Sequence, residues 1–398
     1  MLSAATLATI KSTAPLLAEQ GKAITDLFYS KLFKQHPELQ HIFNMANQAQ
    51  GEQSRALAES VFMYATHIDK LQNLGPMVSR IAHKHASLQV APEHYPIVGK
   101  YLLEAIQDHL GLEPDHPVLG AWAEAYAQLA GIFIKTEEGI YSDNAMKPGG
   151  WRGFRPFVIR DIRDEASGIK SVYLQAEDGQ PIADFEPGQY LGIKVRVPGH
   201  EYDEIRQYSL SDAPGKNHYR ITVKAESTPP SHEGKVSNHL HSALPGDQVW
   251  LQPPTGDFTV KHPDRDLVLI AGGVGITPLL SMLLHRIETG EDVSDLVFIH
   301  CCRDQAHHVM GDELRRLSAQ HGFSYHVSYE TGSGADHQGY LNQTVLSQWL
   351  TQPDADVYFC GPKPFMAAVN TQLLQMGLRD EQLHHEVFGP GTRLPTTH

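Results

Sequence analysis

Histidine is the first residue type to weigh, because the chain carries 24 of them and any single one is weak evidence of a site. His83 and His85 flank Lys84 in Ile81-Ala82-His83-Lys84-His85-Ala86. Two residues apart on a helix they face different ways, so only one can point into a shared pocket. Ile81, His85 and Leu88 share one face in apolar company. His85 is the candidate metal ligand; a hydrogen-bonded histidine on a half-buried helix is the competing reading. Two further runs could hold anions. Arg206-Gln207-Tyr208-Ser209 offers a planar guanidinium that grips phosphate with two parallel hydrogen bonds, followed by a ring and a hydroxyl. Ile270-Ala271-Gly272-Gly273-Val274-Gly275-Ile276-Thr277-Pro278 follows an apolar run and opens a helix. Glycines there let the backbone approach a phosphate, and a helix N-terminus favours the anion. Each run also has a plain structural reading: a chance Tyr-Ser strand, and an ordinary glycine turn.

These residues need elements to hold them. Leu27, Phe28, Leu32 and Phe33 recur at helical spacing, as do Leu57, Val61, Tyr64 and Ala65. Breakers stand between such runs at Pro37, Gly75-Pro76, Pro92, Pro96 and Gly111 to Pro117. Residues 1–146 are therefore expected to be all-α, with Ser3 capping the first helix. The texture changes at Lys147-Pro148-Gly149-Gly150-Trp151. Beyond it lie short alternating strands at Phe157-Val158-Ile159, Val172-Tyr173-Leu174, 190–195 and 219–223, separated by turns such as Glu186-Pro187-Gly188 and Leu244-Pro245-Gly246-Asp247. Residues 151–262 thus predict a small antiparallel β-barrel. From 266 to 398 the apolar runs Leu267-Val268-Leu269-Ile270, Val297-Phe298-Ile299-His300 and Val357-Tyr358-Phe359-Cys360 alternate with helical stretches. That predicts a parallel α/β sheet.

The bulk numbers narrow the classes. With 398 residues, two or three domains can each bury a core. A formal net charge of −14 disfavours a broad nucleic-acid-binding face. Three cysteines, Cys301, Cys302 and Cys360, imply no disulfide framework and suit a reducing cytosol. The first residues lack the basic and apolar regions of a signal peptide. Leu267 to Leu284 is uncharged and long enough for a membrane span, but Gly272, Gly273, Gly275 and Pro278 interrupt it. A strand, turn and helix start explain it better. No repeat and no low-complexity tract is visible.

Around His85 stands a set that resembles the flavohaemoglobins, and the resemblance covers essentially the whole chain. Phe43-Asn44-Met45 resembles the globin bend that packs a phenylalanine on the haem; Gln53 and Leu57 share one helical face, and Gln53 stands 32 positions before His85. Tyr29, His83-Lys84-His85, Tyr95 and Glu137 complete that family's pattern. The resemblance implies haem b with His85 as axial ligand, Tyr95 and Glu137 behind it, Tyr29 and Gln53 contacting bound oxygen, and Phe43, Leu57 and Lys84 around the pocket. A carboxylate on the far ring nitrogen makes the imidazole more electron-donating, which favours activating O₂ over storing it. Plain readings stay open: Glu137-Glu138 as a solvated face, Tyr95 as packing, Lys84 as a surface lysine.

The remainder resembles the ferredoxin-reductase superfamily. Arg206, Gln207, Tyr208 and Ser209 match its FAD motif, with Tyr190 upstream in Pro187-Gly188-Gln189-Tyr190. Gly234-Lys235-Val236-Ser237-Asn238 resembles the pyrophosphate turn, so Lys235, Val236 and Ser237 are candidate FAD contacts. Glu386, Val387, Phe388, Gly389 and Pro390 resemble the segment that closes against the flavin. Gly272, Gly273, Val274, Gly275, Ile276 and Thr277 match that superfamily's nicotinamide turn, and Cys360, Gly361 and Pro362 its second signature. Cys360 is then expected beside the nicotinamide, or else is a small buried thiol. Arg303 could pair with a 2′-phosphate and Asp304 would oppose it, so NADH or NADPH stays open with a lean to NADH.

The resemblance further implies nitric oxide dioxygenase activity. NAD(P)H reduces FAD, FAD passes single electrons to haem iron, and oxygen held there converts NO to nitrate. Two NO and two O₂ are consumed per NAD(P)H, and the role is NO detoxification. NO and O₂ are the expected substrates, and a lipid is a further candidate ligand of the haem pocket. A cytoplasmic monomer without a membrane span is expected. Two rivals are an oxygen or NO sensor whose reductase resets the iron, and a reductase serving ferric chelates or alkylhydroperoxides.

Overall fold

The computed structural model describes residues 2–228, 232–389, 391 and 394. Pro390, expected near the flavin, lies outside the described residues. Ser3 accepts a hydrogen bond from the Thr6 N–H and starts α1 (Ala4–Gln35). There follow α2 (Met45–Ala49), α3 (Glu52–Thr66), α4 (Gly75–Leu88), α5 (His94–Leu110) and α6 (Pro117–Met146). Phe28 and Leu32, spaced one turn apart in α1, are fully inside the helical core with Tyr64 and Ala105. Pro96, expected to stand between helices, is instead the third residue of α5. A first-turn residue has no intrahelical acceptor for its N–H, so proline costs nothing there.

The next strands are β1 (Arg155–Ala166), β2 (Ile169–Ala176), β3 (Tyr190–Val195), β4 (Glu204–Ser209) and β5 (Tyr219–Lys224). A two-residue pair, β6 (Ser227–Thr228) and β7 (His232–Glu233), precedes α7 (Lys235–Ser242) and β8 (Gln248–Leu251). Six of these strands form one sheet in the order β4-β3-β8-β1-β2-β5, antiparallel where β1 meets β2 and β8 and where β2 meets β5. Just past β4, Leu210 bridges to Ile221 of β5, and the Ser211 N–H donates to the Arg220 carbonyl. The chain just past one outer strand of the sheet therefore bridges to the other outer strand at this point.

The last part opens with β9 (Leu267–Gly272) and α8 (Ile276–Glu288), followed by β10 (Val297–Cys302), α9 (Gly311–His321) and β11 (Ser324–Tyr329). It ends with β12 (His337–Gln338), α10 (Gln343–Trp349), β13 (Asp356–Cys360), α11 (Lys363–Gln375) and β14 (Leu383–Glu386). All six strands run parallel in the order β12-β11-β10-β9-β13-β14. Every residue of β9 and β13 is buried, as continuous apolar strands covered on both faces require. The uncharged stretch from Leu267 resolves into strand, turn and helix, and no helix among the described residues is long and apolar enough to cross a membrane.

The backbone divides into two compact units. One comprises the six helices with Lys194–Arg206 and Gly389; the other, residues 147–193 and 207–388, carries the parallel sheet and the rest of the antiparallel one.

Candidate functional site

In the helical unit, α4 presents His85 to two elements at once. Its Nδ1 lies 2.7 Å from Glu137 Oε1, on α6, and 3.2 Å from the Tyr95 hydroxyl, on α5. The Tyr95 hydroxyl donates to the same Glu137 oxygen at 2.5 Å. Glu137 is only 2% exposed, which removes its reading as a solvated face. A buried carboxylate costs several kcal/mol to desolvate, so two donors on one oxygen is an arrangement that the burial demands. Burial, and then the Glu137 charge, push the Tyr95 hydroxyl above the usual phenol range, so it stays a donor. With Nδ1 occupied, Nε2 is the nitrogen left for a metal.

The sequence reading missed the packing around this cluster. The Phe133 ring stands 5.6 Å from that of His85, and the Tyr141 hydroxyl donates to the Val90 carbonyl at 2.8 Å, just past the end of α4. Phe133, Glu137 and Tyr141 are spaced by four, one stripe of α6, and that spacing was the available signal. Lys84 donates from Nζ to the Gly389 carbonyl at 3.0 Å, so it is more than a solvated lysine.

Tyr29 is buried in α1, its hydroxyl hydrogen-bonded to the Gln53 side chain of α3. Burial raises its pKa well above the ordinary phenol value. Phe43 meets its ring edge-on at 5.8 Å, and Leu57 packs on the same apolar cluster. The His85 side has its own cluster of Ala82, Tyr95, Ala130 and Phe133. Val78, Tyr126 and Leu129 pack on both clusters and link the two walls. Phe43 and Leu57 are half-buried where they pack on this core. A flat apolar macrocycle between the walls would cover them, so the donor set fits haem.

In the sheet unit, Tyr190 opens β3 and its ring lies against Gly256, where an added Cβ would come within 2.9 Å of it. Gln207, Tyr208 and Ser209 end β4, and Ser209 is buried. Arg206, on the same strand, pairs with the buried Glu204 at 2.9 Å and with the Ile205 carbonyl at 2.8 Å. Sequence reasoning overlooked Glu204, which holds the guanidinium in place. Lys235, Val236 and Ser237 form the first turn of α7, where the Ser237 hydroxyl donates to the Gly234 carbonyl at 3.0 Å. Glu386 ends β14, Val387 packs on the core of the parallel sheet, and Phe388 stands 44% exposed. A large exposed ring, a helix N-terminus opened by Gly234 and a glycine-backed tyrosine are each of a kind that suits a flat, phosphate-bearing ligand such as FAD.

The nicotinamide residues gather at the carboxyl ends of β9 and β13. Gly272 ends β9, Gly273, Val274 and Gly275 form a single tight turn, and Ile276 and Thr277 begin α8. A Cβ on Gly275 would collide with the Cys360 carbonyl, and one on Gly272 with the Phe365 ring. Gly273 has a φ of +54° and open space where its Cβ would be. Two glycines thus close protein against protein, and the third leaves room for a ligand phosphate. Gly361 and Pro362 follow at the end of β13, with the Cys360 thiol fully buried and 3.4 Å from the Glu386 carbonyl. Arg303 is exposed past β10, and Asp304 is taken up by His307 at 2.7 Å. His300, missed by the sequence reading, is buried in β10 with Nε2 3.2 Å from the Gly273 carbonyl, directly behind the turn.

Comparison with known proteins follows the same three parts. The globin family matches residues 26–133, the oxidoreductase FAD-binding domain 159–260 and the oxidoreductase NAD-binding domain 269–371. The flavohemoprotein of Halalkalibacterium halodurans is 44% identical over 100% of this chain and 99% of its own. A crystal structure of a flavohemoglobin from Malassezia yamatoensis, with bound FAD and haem, superposes with a TM-score of 0.87 at 26% identity. It covers 98% of this chain and 100% of that one. The FAD/NAD-binding domain of a nitric oxide dioxygenase from Vibrio cholerae is 39% identical, with a TM-score of 0.56, over 60% of this chain and 100% of its own.

Proposed function

The chain belongs to the flavohaemoglobin (flavohemoprotein) family, an oxidoreductase with haem, FAD and a nicotinamide nucleotide as cofactors, and on that premise we propose that it is a nitric oxide dioxygenase. The observation that carries the reading is the His85–Glu137–Tyr95 cluster. When bound, haem supplies iron that holds oxygen, FAD splits a hydride's two electrons into single ones, and NAD(P)H supplies the hydride. His85 would hold the iron through Nε2. Its Nδ1–H donates to Glu137 Oε1, which fixes the tautomer and would make the ring a stronger electron donor. Tyr95 donates its O–H to the same oxygen and holds the Glu137 carboxyl in place. On the other wall, Tyr29 stays protonated, and its O–H, held by Gln53, would be available as a donor to a ligand on that side. Phe43 and Leu57 keep water out, which would strengthen such a bond.

Arg206 would pair with an FAD phosphate, Tyr190, Tyr208 and Phe388 would offer rings to the flavin, the Ser237 turn would offer N–H groups to a phosphate, and Gly273 with the start of α8 would receive the nucleotide phosphate. Two NO and two O₂ then become two nitrates per NAD(P)H. That the Vibrio cholerae relative carries the nitric oxide dioxygenase name supports the substrate. Mixing the NADH-reduced, oxygenated protein with NO in a stopped-flow instrument tests the proposal. Rapid stoichiometric nitrate with continued NADH oxidation is expected; ordinary haem reduction without NO turnover would refute it.

A further inference from the structure

A cluster outside the proposed redox machinery has metal-ligand chemistry. Asp356 opens β13, at the end of the strand away from Cys360; four residues of strand put it roughly 13 Å from the nucleotide turn. It is 1% exposed. Its Oδ2 lies 2.5 Å from His262 Nδ1 and 3.4 Å from His384 Nε2. The three ligand atoms all fall within 4.8 Å of one another. Arg265 holds the second oxygen, Oδ1, at 2.9 Å and so aims Oδ2 at the two imidazoles. Tyr358 stacks on the His384 ring at 4.4 Å between centroids and fixes its orientation. His384 Nε2 is buried and makes no hydrogen bond. A buried ring nitrogen facing a carboxylate oxygen at 3.4 Å, an oxygen already shared with another imidazole, is poorly satisfied until something else binds it.

We propose that His262, Asp356 and His384 form a divalent-cation site of zinc type, with the fourth position open to solvent. Tetrahedral zinc with ligands at about 2.1 Å spaces its ligand atoms by about 3.4 Å. The His384–Asp356 pair already has that spacing. His262 must retreat by roughly 1 Å, and its side chain, 46% exposed, is free to do so. Arg265 keeps Oδ1 and plays the part of the outer group that orients a ligating carboxylate. His262 stands on the connection between β8 and β9, which joins the two sheets, whereas Asp356 and His384 belong to the parallel sheet. A bound ion therefore staples that connection to β13 and β14, and binding to the folded chain alone stabilises it.

The test uses the full chain with haem and FAD bound. Equilibrium dialysis against chelator-buffered Zn²⁺, with metal read by mass spectrometry, compares the wild type with His262→Ala and His384→Gln. The wild type is expected to take up one Zn²⁺ that each variant binds at least tenfold more weakly. Its thermal midpoint should rise with Zn²⁺, and that of His262→Ala should not. Equal uptake by all three proteins would overturn the proposal, since it would assign the zinc to other histidines. The exposed His262 is replaced so that loss of folding cannot imitate loss of the site.

Discussion

A carboxylate buried beside a histidine must be held charged by its neighbours or lose its charge. Glu137 has two donors on one oxygen, and hydrogen bonds to a charged group contribute about 1.5–3 kcal/mol each. That is enough to offset a desolvation cost of several kcal/mol. Glu137→Gln keeps the shape and removes the charge. Its expected result is a haem reduction potential shifted positive and NO consumption slowed about 10–100-fold, the usual range for losing an outer partner of a metal ligand. Haem and FAD contents should match the wild type. An unshifted potential would show that Glu137 only packs. In the sequence, His85 was one histidine of 24, and residues as far off as Tyr29 and Glu137 gave it meaning. The second donor on Glu137, by contrast, could not be read, because it depends on how α5 and α6 meet.

At the scale of elements, the strands with continuous apolar runs were legible: β9, β10 and β13 begin where the runs do, or one residue earlier. Strand β11, Ser-Tyr-His-Val-Ser-Tyr, and β14, Leu-His-His-Glu, were not, since their polar side chains carry no apolar period. Strands β10 and β11, with the loop after β10, supply a histidine network instead. His308 sits between the Tyr325 and Tyr329 hydroxyls, at 2.6 and 2.8 Å, and next to His300. Burial pushes His300 down to about 3 and His308 to about 4, so both are neutral in the folded chain near pH 7. Unfolded histidines take up protons near pH 6.5. Above that pH they contribute no pH dependence. Below it the unfolded chain binds more protons, and stability falls by up to about 1.4 kcal/mol per pH unit for each histidine, until the folded values are reached. Urea unfolding at pH 7 and pH 5 should show this loss, and His308→Gln should shrink it. An identical pH dependence in that variant would refute the cause.

Over the whole molecule, the haem residues lie on the helices before Met146, with Phe43 on the bend before α2, and the nicotinamide residues lie at the ends of β9 and β13. The three matched families divide the chain in the same order. Cofactor losses should therefore be separable. Arg206→Ala is expected to release FAD and keep haem, with Soret absorbance intact and NADH no longer reducing the iron; Arg206→Lys should recover part of the flavin. Full flavin retention by Arg206→Ala would remove Arg206 from the phosphate site. The order of modules was legible because each has its own period of apolar residues, whereas the bridge from Leu210, just past β4, to β5 and the Glu204 partner of Arg206 depend on tertiary packing. Nitric oxide dioxygenation makes one demand that no sensor or external-acceptor reductase shares: both oxygen atoms added to nitrogen come from one O₂. Turnover of NO by the holoprotein with NADH under ¹⁸O₂ should give nitrate bearing two labelled oxygens. Nitrate with one label or none, or NADH oxidation without nitrate, would contradict the assignment.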